Sequence, residues 1–259
     1  MDVGALLRWY ARVKRPLPWR ETRHPYALLV SEVMLQQTQA ARVVPYYEAF
    51  LERFPDPAAL AAAPPADVLE AWSGLGYNRR ALALQAAARE VAANGWPADL
   101  ARLPGVGPYT AAAVASFAWD RQTAAVDTNV KRVLERHDGI RRRPKALAER
   151  AESLVPPDRA ATFNQAMMEL GATVCRPRVP RCEHCPVGTR CARDLAVAPR
   201  RRGGERFEDT DRWARGRIVA ALIAGDELPA LEPQRRDRAL AGLERDGLIV
   251  HDPEPRLPG

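Results

Sequence analysis

The first 195 residues alternate amphipathic stretches rich in Ala and Leu with short breaks at Pro or Gly. Apolar residues recur there at helical spacing, and no run of alternating β-branched residues predicts a central strand. The pattern therefore predicts an all-α domain. Its helices are expected near residues 3–14, 26–38, 42–53, 66–73, 78–94, 108–118, 128–138, 146–154 and 160–173.

A basic, glycine-containing segment follows this domain and is typical of a linker. Beyond it, helices near 209–223 and 234–245 precede the short apolar run Leu248 to Val250, which suits one strand of a wing. The order of these elements therefore predicts a small winged-helix-like unit in the tail. The divisions are residues 1–198 for the helical domain, 199–205 for the linker and 206–259 for the C-terminal unit.

The charge balance of the 259 residues is basic, with 39 Lys and Arg against 32 Asp and Glu, a net charge of +7. Basicity slightly favours a nucleic-acid partner, although nearly all the basic residues are Arg, a bias that genomic base composition also produces. The longest uncharged stretch, Leu103 to Trp119, is too short to span a bilayer. Arg8 interrupts the N-terminal apolar run before a signal-peptide core can form. We therefore expect a cytoplasmic protein with no membrane partner.

All four cysteines lie in one loop with the spacing C-x6-C-x2-C-x5-C. They are Cys175, Cys182, Cys185 and Cys191, which define the cluster loop, residues 175–191. A reducing cytoplasm disfavours disulfides, and clustered thiols there usually hold metal. Structural zinc sites more often use two close pairs separated by a longer loop, whereas a [4Fe–4S] cluster is held by four cysteine thiolates. The spacing therefore favours the cluster over zinc.

The segment Leu103 to Thr110 reads LPGVGPYT and lies between a short helix and an Ala-rich helix. Gly105 and Gly107 permit a tight turn, and they leave the N–H groups at the start of the next helix open to a phosphate. The complete octet predicts a helix-hairpin-helix that binds a phosphate. A single GxG would indicate only a tight turn.

Glu32 lies in a predicted helix that is apolar on nearly every side. Its neighbours at helical spacing are Leu28, Leu29 and Leu35. Desolvation in such surroundings raises a carboxyl pKa and makes Glu32 a candidate proton donor near neutral pH. A solvated Glu on a narrow polar seam with Ser31 fits the pattern equally well, so the helix alone leaves both interpretations open.

Asp127 opens the helix that follows it, in the segment VDTNVKRV. Asp is a common N-cap because its side chain accepts backbone N–H bonds from the first turn. Taken alone, the pattern favours this capping role over a chemical one.

Together these residues resemble the helix-hairpin-helix DNA glycosylases with an iron–sulfur cluster loop, and within them the MutY-type adenine glycosylases. The resemblance runs from about Leu17 to Cys191. It is carried by the following motifs: Leu17 to Arg20, Ser31 to Thr38, Gly74 to Tyr77, Leu103 to Thr110, Val126 to Val133, and the four cysteines.

The resemblance implies chemical roles for both carboxylates. Adenine leaves poorly until a ring nitrogen is protonated, and Glu32 matches the family acid. Asp127 matches the carboxylate that either stabilises the oxocarbenium-like sugar or first attacks it covalently, with water as the eventual nucleophile, a logic that parallels glycoside hydrolysis by two carboxyl groups. Tyr109 and Asn129 match family positions that bond to Asp127 or to the reacting sugar.

Tyr109 also implies a monofunctional enzyme. Bifunctional relatives such as endonuclease III carry a lysine at this point of the hairpin, which attacks the sugar as a Schiff-base nucleophile. The lysines of this chain are Lys14, Lys131 and Lys145, and all lie outside the hairpin. We therefore expect little true lyase activity.

The resemblance further implies that the target adenine is flipped out of duplex DNA. Gln37 and Tyr77 match wedge positions in the base stack, while Gly105, Gly107 and Lys131 are assigned to the DNA backbone. The adenine pocket is assigned to Trp19, Arg20 and Gln165. A core aromatic at Trp19 and a solvated helix position at Gln165 remain alternatives.

The C-terminal tail is too short and too helical for the Nudix-like domain with which typical family members recognise 8-oxoguanine. It resembles the tail of shorter, actinobacterial-type adenine glycosylases. Recognition of the base opposite the adenine therefore falls to the wedge residues or to the tail, or the enzyme accepts plain guanine as readily. We expect a nucleoid-associated monomer that acts on duplex DNA containing a mispaired adenine.

Two other functions compete with this one. A mismatch thymine or uracil glycosylase of the same superfamily is disfavoured by Glu32, because a pyrimidine leaving group gains less from ring protonation. A non-catalytic iron–sulfur protein that binds DNA damage is disfavoured because both carboxylates occur together with the pocket residues.

Overall fold

The computed structural model describes residues 1–195 and 206–259. Within these residues the secondary structure is mostly helical, with only two short strands, so the predicted all-α class is confirmed. The predicted linker, residues 199–205, lies outside the described residues. The helices are α1 Val3–Val13, α2 Pro25–Leu35, α3 Ala40–Arg53, α4 Pro57–Ala62, α5 Pro65–Ala71, α6 Arg79–Asn94, α7 Pro108–Trp119, α8 Thr128–Asp138, α9 Pro144–Glu152, α10 Ala160–Glu169, α11 Asp211–Ala224 and α12 Pro233–Arg245.

A two-stranded antiparallel sheet follows α12. Its strands, β1 (Val250–His251) and β2 (Pro255–Arg256), pair so that Val250 lies opposite Arg256. The strand expected at Leu248 to Val250 begins only at Val250. The backbone N–H of Leu248 instead donates to the carbonyl of Leu243 at 2.9 Å and closes the end of α12.

The chain forms two compact units. One comprises Met1–Glu32 and Val106–Arg201, and the other comprises Val33–Gly105 and Arg202–Gly259. The C-terminal helices α11 and α12 thus belong to the same compact unit as α3 to α6. This grouping reflects packing, and the domain bounds drawn from the sequence remain a prediction.

The core of the first unit is built from the apolar faces of α1, α8 and α10. Helical spacing brings their apolar side chains to one side of each helix, and packing these faces together removes them from water. The fully buried members include Leu6, Val130, Leu134, Phe163, Met167 and Leu170. This core fixes the starts of α8 and of the turn after α10, where the candidate site residues lie.

Helix α2 ends at Leu35, three residues earlier than the sequence predicts. Arg80 explains the early end, because its guanidinium takes the carbonyls of Val33 and Met34, at 2.7 and 3.2 Å, as well as that of Gln36 at 2.6 Å. These are carbonyls that a helix end leaves without intrahelical partners. Gln37 then adopts a positive φ of 58° and turns the chain away.

The helix expected at 160–173 is α-helical only to Glu169 and continues as a π-helical turn, Leu170–Val174. Such turns occur often at functional sites. Here the backbone N–H of Cys175 donates to the carbonyl of Leu170 at 2.7 Å, so the turn leads directly into the cluster loop.

Helix α4 is absent from the sequence prediction. The sequence does indicate where this helix begins, because Asp56 is its N-cap and Pro57 occupies the first helical position. The side chain of Asp56 accepts the backbone N–H of Ala59 at 2.8 Å. Its six residues are too few for apolar periodicity to be recognised.

Among residues 1–195 and 206–259, no helix has both the length and the apolar character needed to cross a bilayer.

Candidate active site

The Glu32 side chain is buried, with an exposed fraction of 4%. One carboxyl oxygen is bonded to the hydroxyl of Tyr109, while Oε2 has no hydrogen-bond partner in the structure. Desolvation raises the pKa of Glu32 to about 7, and the charge of Asp127 adds to this effect, while the bond from Tyr109 opposes it. Glu32 is therefore a buried carboxyl and not a solvated residue on a polar seam.

Tyr109 is the second residue of α7, so the hairpin that precedes this helix fixes where its ring lies. Burial, followed by the nearby charges of Glu32 and Asp127, raises the pKa of Tyr109 well above its usual value. The phenol consequently stays protonated and can donate to Glu32. Its hydroxyl also lies 3.9 Å from the Sδ atom of Met168.

Asp127 is the N-cap of α8, as the sequence pattern indicates. Its Oδ1 accepts the backbone N–H of Val130 at 2.7 Å, and its Oδ2 accepts from Nδ2 of Asn129 at 2.7 Å. The two bonds fix the plane of the carboxylate at the positive end of the helix dipole. Capping and a chemical role are therefore compatible, because the cap aims the carboxylate that lies near Glu32.

Asn129 is held in turn by Arg132, which the sequence reasoning missed. The Nη2 atom of Arg132 donates to Asn129 Oδ1 and to the carbonyl of Gly171, each at 2.8 Å, and its Nε donates to the carbonyl of Cys175 at 2.9 Å. Arg132 is buried, with 7% exposure. The sequence did contain one indication of this contact, because Arg132 lies three residues after Asn129, on the inner face of an amphipathic helix.

Gly171 approaches α8 too closely to carry a side chain. A Cβ atom built on it lies 2.6 Å from Cβ of Asn129. The π-helical turn thus packs its bare backbone against the residue that orients Asp127.

The three residues assigned to an adenine pocket are held by neighbours of their own. Arg20 donates from Nη2 to Oε2 of Glu169 at 2.7 Å, and Gln165 Oε1 accepts the hydroxyl of Tyr10 at 2.8 Å. Trp19 is buried in the short turn Pro18–Arg20. The adenine pocket formed by Trp19, Arg20 and Gln165 therefore stays a prediction.

Glu169, another residue that the sequence reasoning missed, is 1% exposed. Burial opposes its ionisation, but hydrogen bonds from Arg15 and Arg20 outweigh burial and lower the pKa of Glu169. The sequence around Glu169 resembles that around Glu32, because each is a single acidic residue in an apolar helix. The buried ion pair ties the segment after α1 to the end of α10.

The hairpin glycines serve two different needs. Gly105 has a φ of 71°, and a Cβ atom there would lie 2.7 Å from Cβ of Ala83. Gly107 precedes α7 as its N-cap, and a Cβ atom there would meet nothing within 4 Å. Gly105 is thus required by the fold, while Gly107 leaves the start of a 12-residue helix open to an anion.

The two assigned wedge residues share an unusual backbone. Gln37 and Tyr77 are exposed and have positive φ values of 58° and 50°. Arg80 lies between their segments and donates on one side to the Gln36 carbonyl, and on the other to the Gly76 carbonyl at 2.9 Å. One guanidinium therefore holds both strained turns. Lys131, assigned to the DNA backbone, is exposed on α8.

The four cysteines line one small cavity of about 30 Å³. All four thiols are unbridged and partly buried, and burial is the main factor that raises the pKa of Cys185 and Cys191. N–H groups reach two of the sulfurs, from Arg136 Nη1 to Cys175 at 3.6 Å and from the backbone of Arg193 to Cys191 at 3.4 Å. Such bonds are typical around cluster sulfurs.

The four thiols surround one shared space. A single zinc ion needs its ligand sulfurs all within about 2.3 Å of one point. A cluster spreads four thiolates over four iron atoms, so four thiols around a shared cavity fit it.

Comparison with known proteins identifies the family. Residues 30–157 match the family described as HhH-GPD superfamily base excision DNA repair protein. The adenine DNA glycosylase of Mycolicibacterium smegmatis is 42% identical over 275 aligned positions, which cover 97% of this chain and 94% of the relative. The similarity therefore extends through the C-terminal tail.

Solved structures agree on the fold. A thermostable thymine-DNA glycosylase superposes with a TM-score of 0.69 at 34% identity, over 73% of this chain and 93% of its own. A trapped endonuclease III–DNA covalent intermediate superposes with a TM-score of 0.64 at 24% identity, over 73% and 92% of the two chains, which shows the fold alone. The predicted helix-hairpin-helix glycosylase fold is thereby confirmed. The chain belongs to the adenine DNA glycosylases of the HhH-GPD superfamily of base excision DNA repair proteins.

Proposed function

We propose that this chain is a monofunctional DNA glycosylase that excises adenine mispaired with guanine or 8-oxoguanine in duplex DNA. The observation that carries the proposal is the Glu32 carboxyl, buried with a free Oε2 and a pKa of about 7 beside Asp127. A carboxyl that is still protonated near neutral pH can protonate the leaving base. The mycobacterial relative, named an adenine DNA glycosylase, supports adenine as that base.

In the proposed reaction, protonated Glu32 transfers its proton to a ring nitrogen of the flipped adenine. The bond between the base and the sugar then breaks, and adenine leaves with the bonding electron pair. Asp127 lies beside the positive charge that develops on the sugar and stabilises it electrostatically. Water adds to the sugar carbon and gives a proton to the Glu32 carboxylate formed in the first step, which regenerates the acid and leaves an abasic site.

Tyr109 and Asn129 act as positioning residues in this scheme. The Tyr109 hydroxyl bonds one oxygen of Glu32 and leaves Oε2 for the base. Asn129 fixes Oδ2 of Asp127. The hairpin offers a phenol where a Schiff-base enzyme needs an amine, so strand cleavage is not part of the reaction.

DNA is bound, in this proposal, by the open start of α7 at Gly107, with Gly105 shaping the turn and Lys131 adding charge. Gln37 and Tyr77 enter the base stack while the adenine is flipped. Trp19, Arg20 and Gln165 then contact the adenine. The enzyme works as a monomer on chromosomal DNA in the cytoplasm.

We further propose that the cluster loop holds a [4Fe–4S] cluster through Cys175, Cys182, Cys185 and Cys191. When bound, the cluster supplies a rigid cross-link of the loop that follows α10. Iron and acid-labile sulfide in equal amounts in anaerobically purified protein support this assignment. Stoichiometric zinc without iron contradicts it.

The function is tested with end-labelled duplexes that contain A:8-oxoguanine, A:G, T:G or U:G, followed by alkali. We expect cleavage at adenine only after alkali, because a monofunctional enzyme leaves the strand intact. Glu32→Gln should bind the mismatch and release adenine only at a low residual rate, whereas Glu48→Gln, at an exposed carboxyl on α3, should react as the wild type. Cleavage only at the pyrimidines would contradict the proposal.

A further inference from the structure

The C-terminal segment contacts the ring of Tyr77. The Nη1 atom of Arg212 donates to the Tyr77 hydroxyl, and the Arg212 guanidinium lies 5.1 Å from the Tyr77 ring centroid. The same guanidinium lies 4.8 Å from the ring of Phe207. Arg212 therefore links an exposed aromatic residue of the tail to the exposed tyrosine of the loop before α6.

The tail residues that make this contact are themselves fixed. Thr210 caps α11 by accepting the backbone N–H of Trp213 at 3.2 Å, and its hydroxyl donates to the Phe207 carbonyl at 2.6 Å. Arg235 on α12 donates to the Thr210 carbonyl at 2.8 Å and lies 5.4 Å from the ring of Trp213. The turn from Phe207 to Arg212 is thus anchored to both helices of the tail.

A second tie joins the tail to the residues just after Tyr77. Asp246, at the end of α12, accepts from Arg215 on α11 and lies 3.4 Å from Arg79 at the first position of α6. In addition, α11 packs against α5, the helix that leads into the Tyr77 loop. The tail therefore supports the loop on both sides of Tyr77.

Two guanidiniums lie close to the ring of Tyr77. Arg80 is 5.4 Å from the ring centroid, and Arg212 is 5.1 Å from it. Arg80 also holds the backbone of this turn, as described above. Arg212 is the contact that determines the direction of the side chain, because it bonds the hydroxyl as well as facing the ring.

We propose that Arg212 is a positioning residue that sets the Tyr77 ring for stacking in the duplex, so that the C-terminal segment contributes to discrimination of the base opposite the adenine. The inference depends on the proposed function, in which Tyr77 enters the base stack. A planar guanidinium suits this role, because it can face a ring and donate a hydrogen bond at the same time.

The test is a double-mutant cycle in the full chain, with Arg212→Ala, Tyr77→Ala and the double variant. Affinity is measured for duplexes with A:8-oxoguanine, A:G and A:T. We expect Arg212→Ala to reduce the preference for A:8-oxoguanine over A:T by about fivefold to tenfold, and to have no further effect once Tyr77 is Ala. Arg217→Ala, exposed on the same helix, is the matched control and should leave the preference unchanged.

Other outcomes overturn the proposal. Additive effects of the two substitutions would mean that Arg212 acts independently of Tyr77. Equal weakening of binding to all three duplexes, with a reduced salt dependence, would identify Arg212 as a phosphate contact instead.

Melting temperatures of the variants serve as the folding control, because values within experimental error of wild type exclude loss of fold. Absence of adenine release by the wild type would contradict the proposed function, while the binding cycle would still report on Arg212.

Discussion

Arg132 donates from Nε to the carbonyl oxygen of Cys175 at 2.9 Å. The same guanidinium holds Asn129, and Asn129 holds Asp127, so a chain of hydrogen bonds joins the first cysteine of the cluster loop to the candidate catalytic carboxylate. Each link is partly or fully shielded from water, which strengthens it. The placement of Asp127 thus depends on residues outside its own helix turn.

Replacing Arg132 tests this dependence. Arg132→Lys keeps the charge but cannot make three bonds in a plane, and losing buried bonds to a charged group costs about 2–3 kcal/mol. We expect the single-turnover rate of adenine release to fall by about 10-fold to 100-fold, with iron content measured in parallel. Arg89→Lys is the control, because Arg89 is an exposed arginine that also donates to a carbonyl, that of Ala61. An unchanged rate for Arg132→Lys would remove Arg132 from the account.

Gly171→Ala tests the close approach of the π-helical turn to α8. The new methyl group would lie 2.6 Å from Cβ of Asn129, so one of the two backbones must move, at a cost of about 1–3 kcal/mol. We expect a lower melting temperature and slower adenine release. Gly216→Ala on α11 is the matched control, since a Cβ atom there meets nothing within 4 Å. Ala favours helix more than Gly does, so this variant should be slightly more stable than wild type.

The raised pKa of Glu32 carries a cost in stability. In the unfolded chain this carboxyl ionises near 4.5, whereas in the folded protein it ionises near 7. The folded state therefore holds a proton that the unfolded state has lost, and stability falls as pH rises between these two values. Above pH 7 the loss reaches about 3 kcal/mol, from about 1.4 kcal/mol per pKa unit.

Glu32→Gln should remove this penalty. Urea unfolding is expected to show the variant to be more stable than wild type at about pH 8, with the difference shrinking as pH falls toward the pKa of the unfolded carboxyl. Glu48→Gln, at an exposed carboxyl, should show no such trend. A Glu32→Gln variant that is less stable than wild type at high pH would mean that the ionised carboxylate is well solvated.

Replacing Arg80 tests whether the backbone turns at Gln37 and Tyr77 matter for DNA binding. It lies between aromatic rings and carbonyls, and desolvation lowers its pKa to about 10. Arg80→Met keeps an unbranched apolar stem but leaves five carbonyl contacts unmade. We expect lower stability and weaker mismatch binding, checked by thermal melting and by titration with an A:8-oxoguanine duplex. Wild-type mismatch affinity in a folded Arg80→Met protein would show that Gln37 and Tyr77 do not need these contacts.

The sequence predicts the helices well where a stripe of apolar residues is long, as in α6 and α8, whose observed bounds lie within one residue of those expected. It fails where a distant side chain decides, as at the end of α2, because the carbonyls there are taken by Arg80 from α6. Local residue spacing is enough to predict that Asp127 caps a helix and that Glu32 is an acidic residue in an apolar helix. The long-range partners of Arg132 and Glu169 could not be predicted, because they lie about 40 and 150 residues away in the chain.

If protonated Glu32 drives adenine release, the single-turnover rate constant on an A:8-oxoguanine duplex must depend on pH. We expect this rate constant to fall as pH rises through about 7, with the transition absent in Glu32→Gln, whose residual rate is low at every pH. A wild-type rate constant that stays level or increases through this range would show that a protonated Glu32 does not drive the release of adenine.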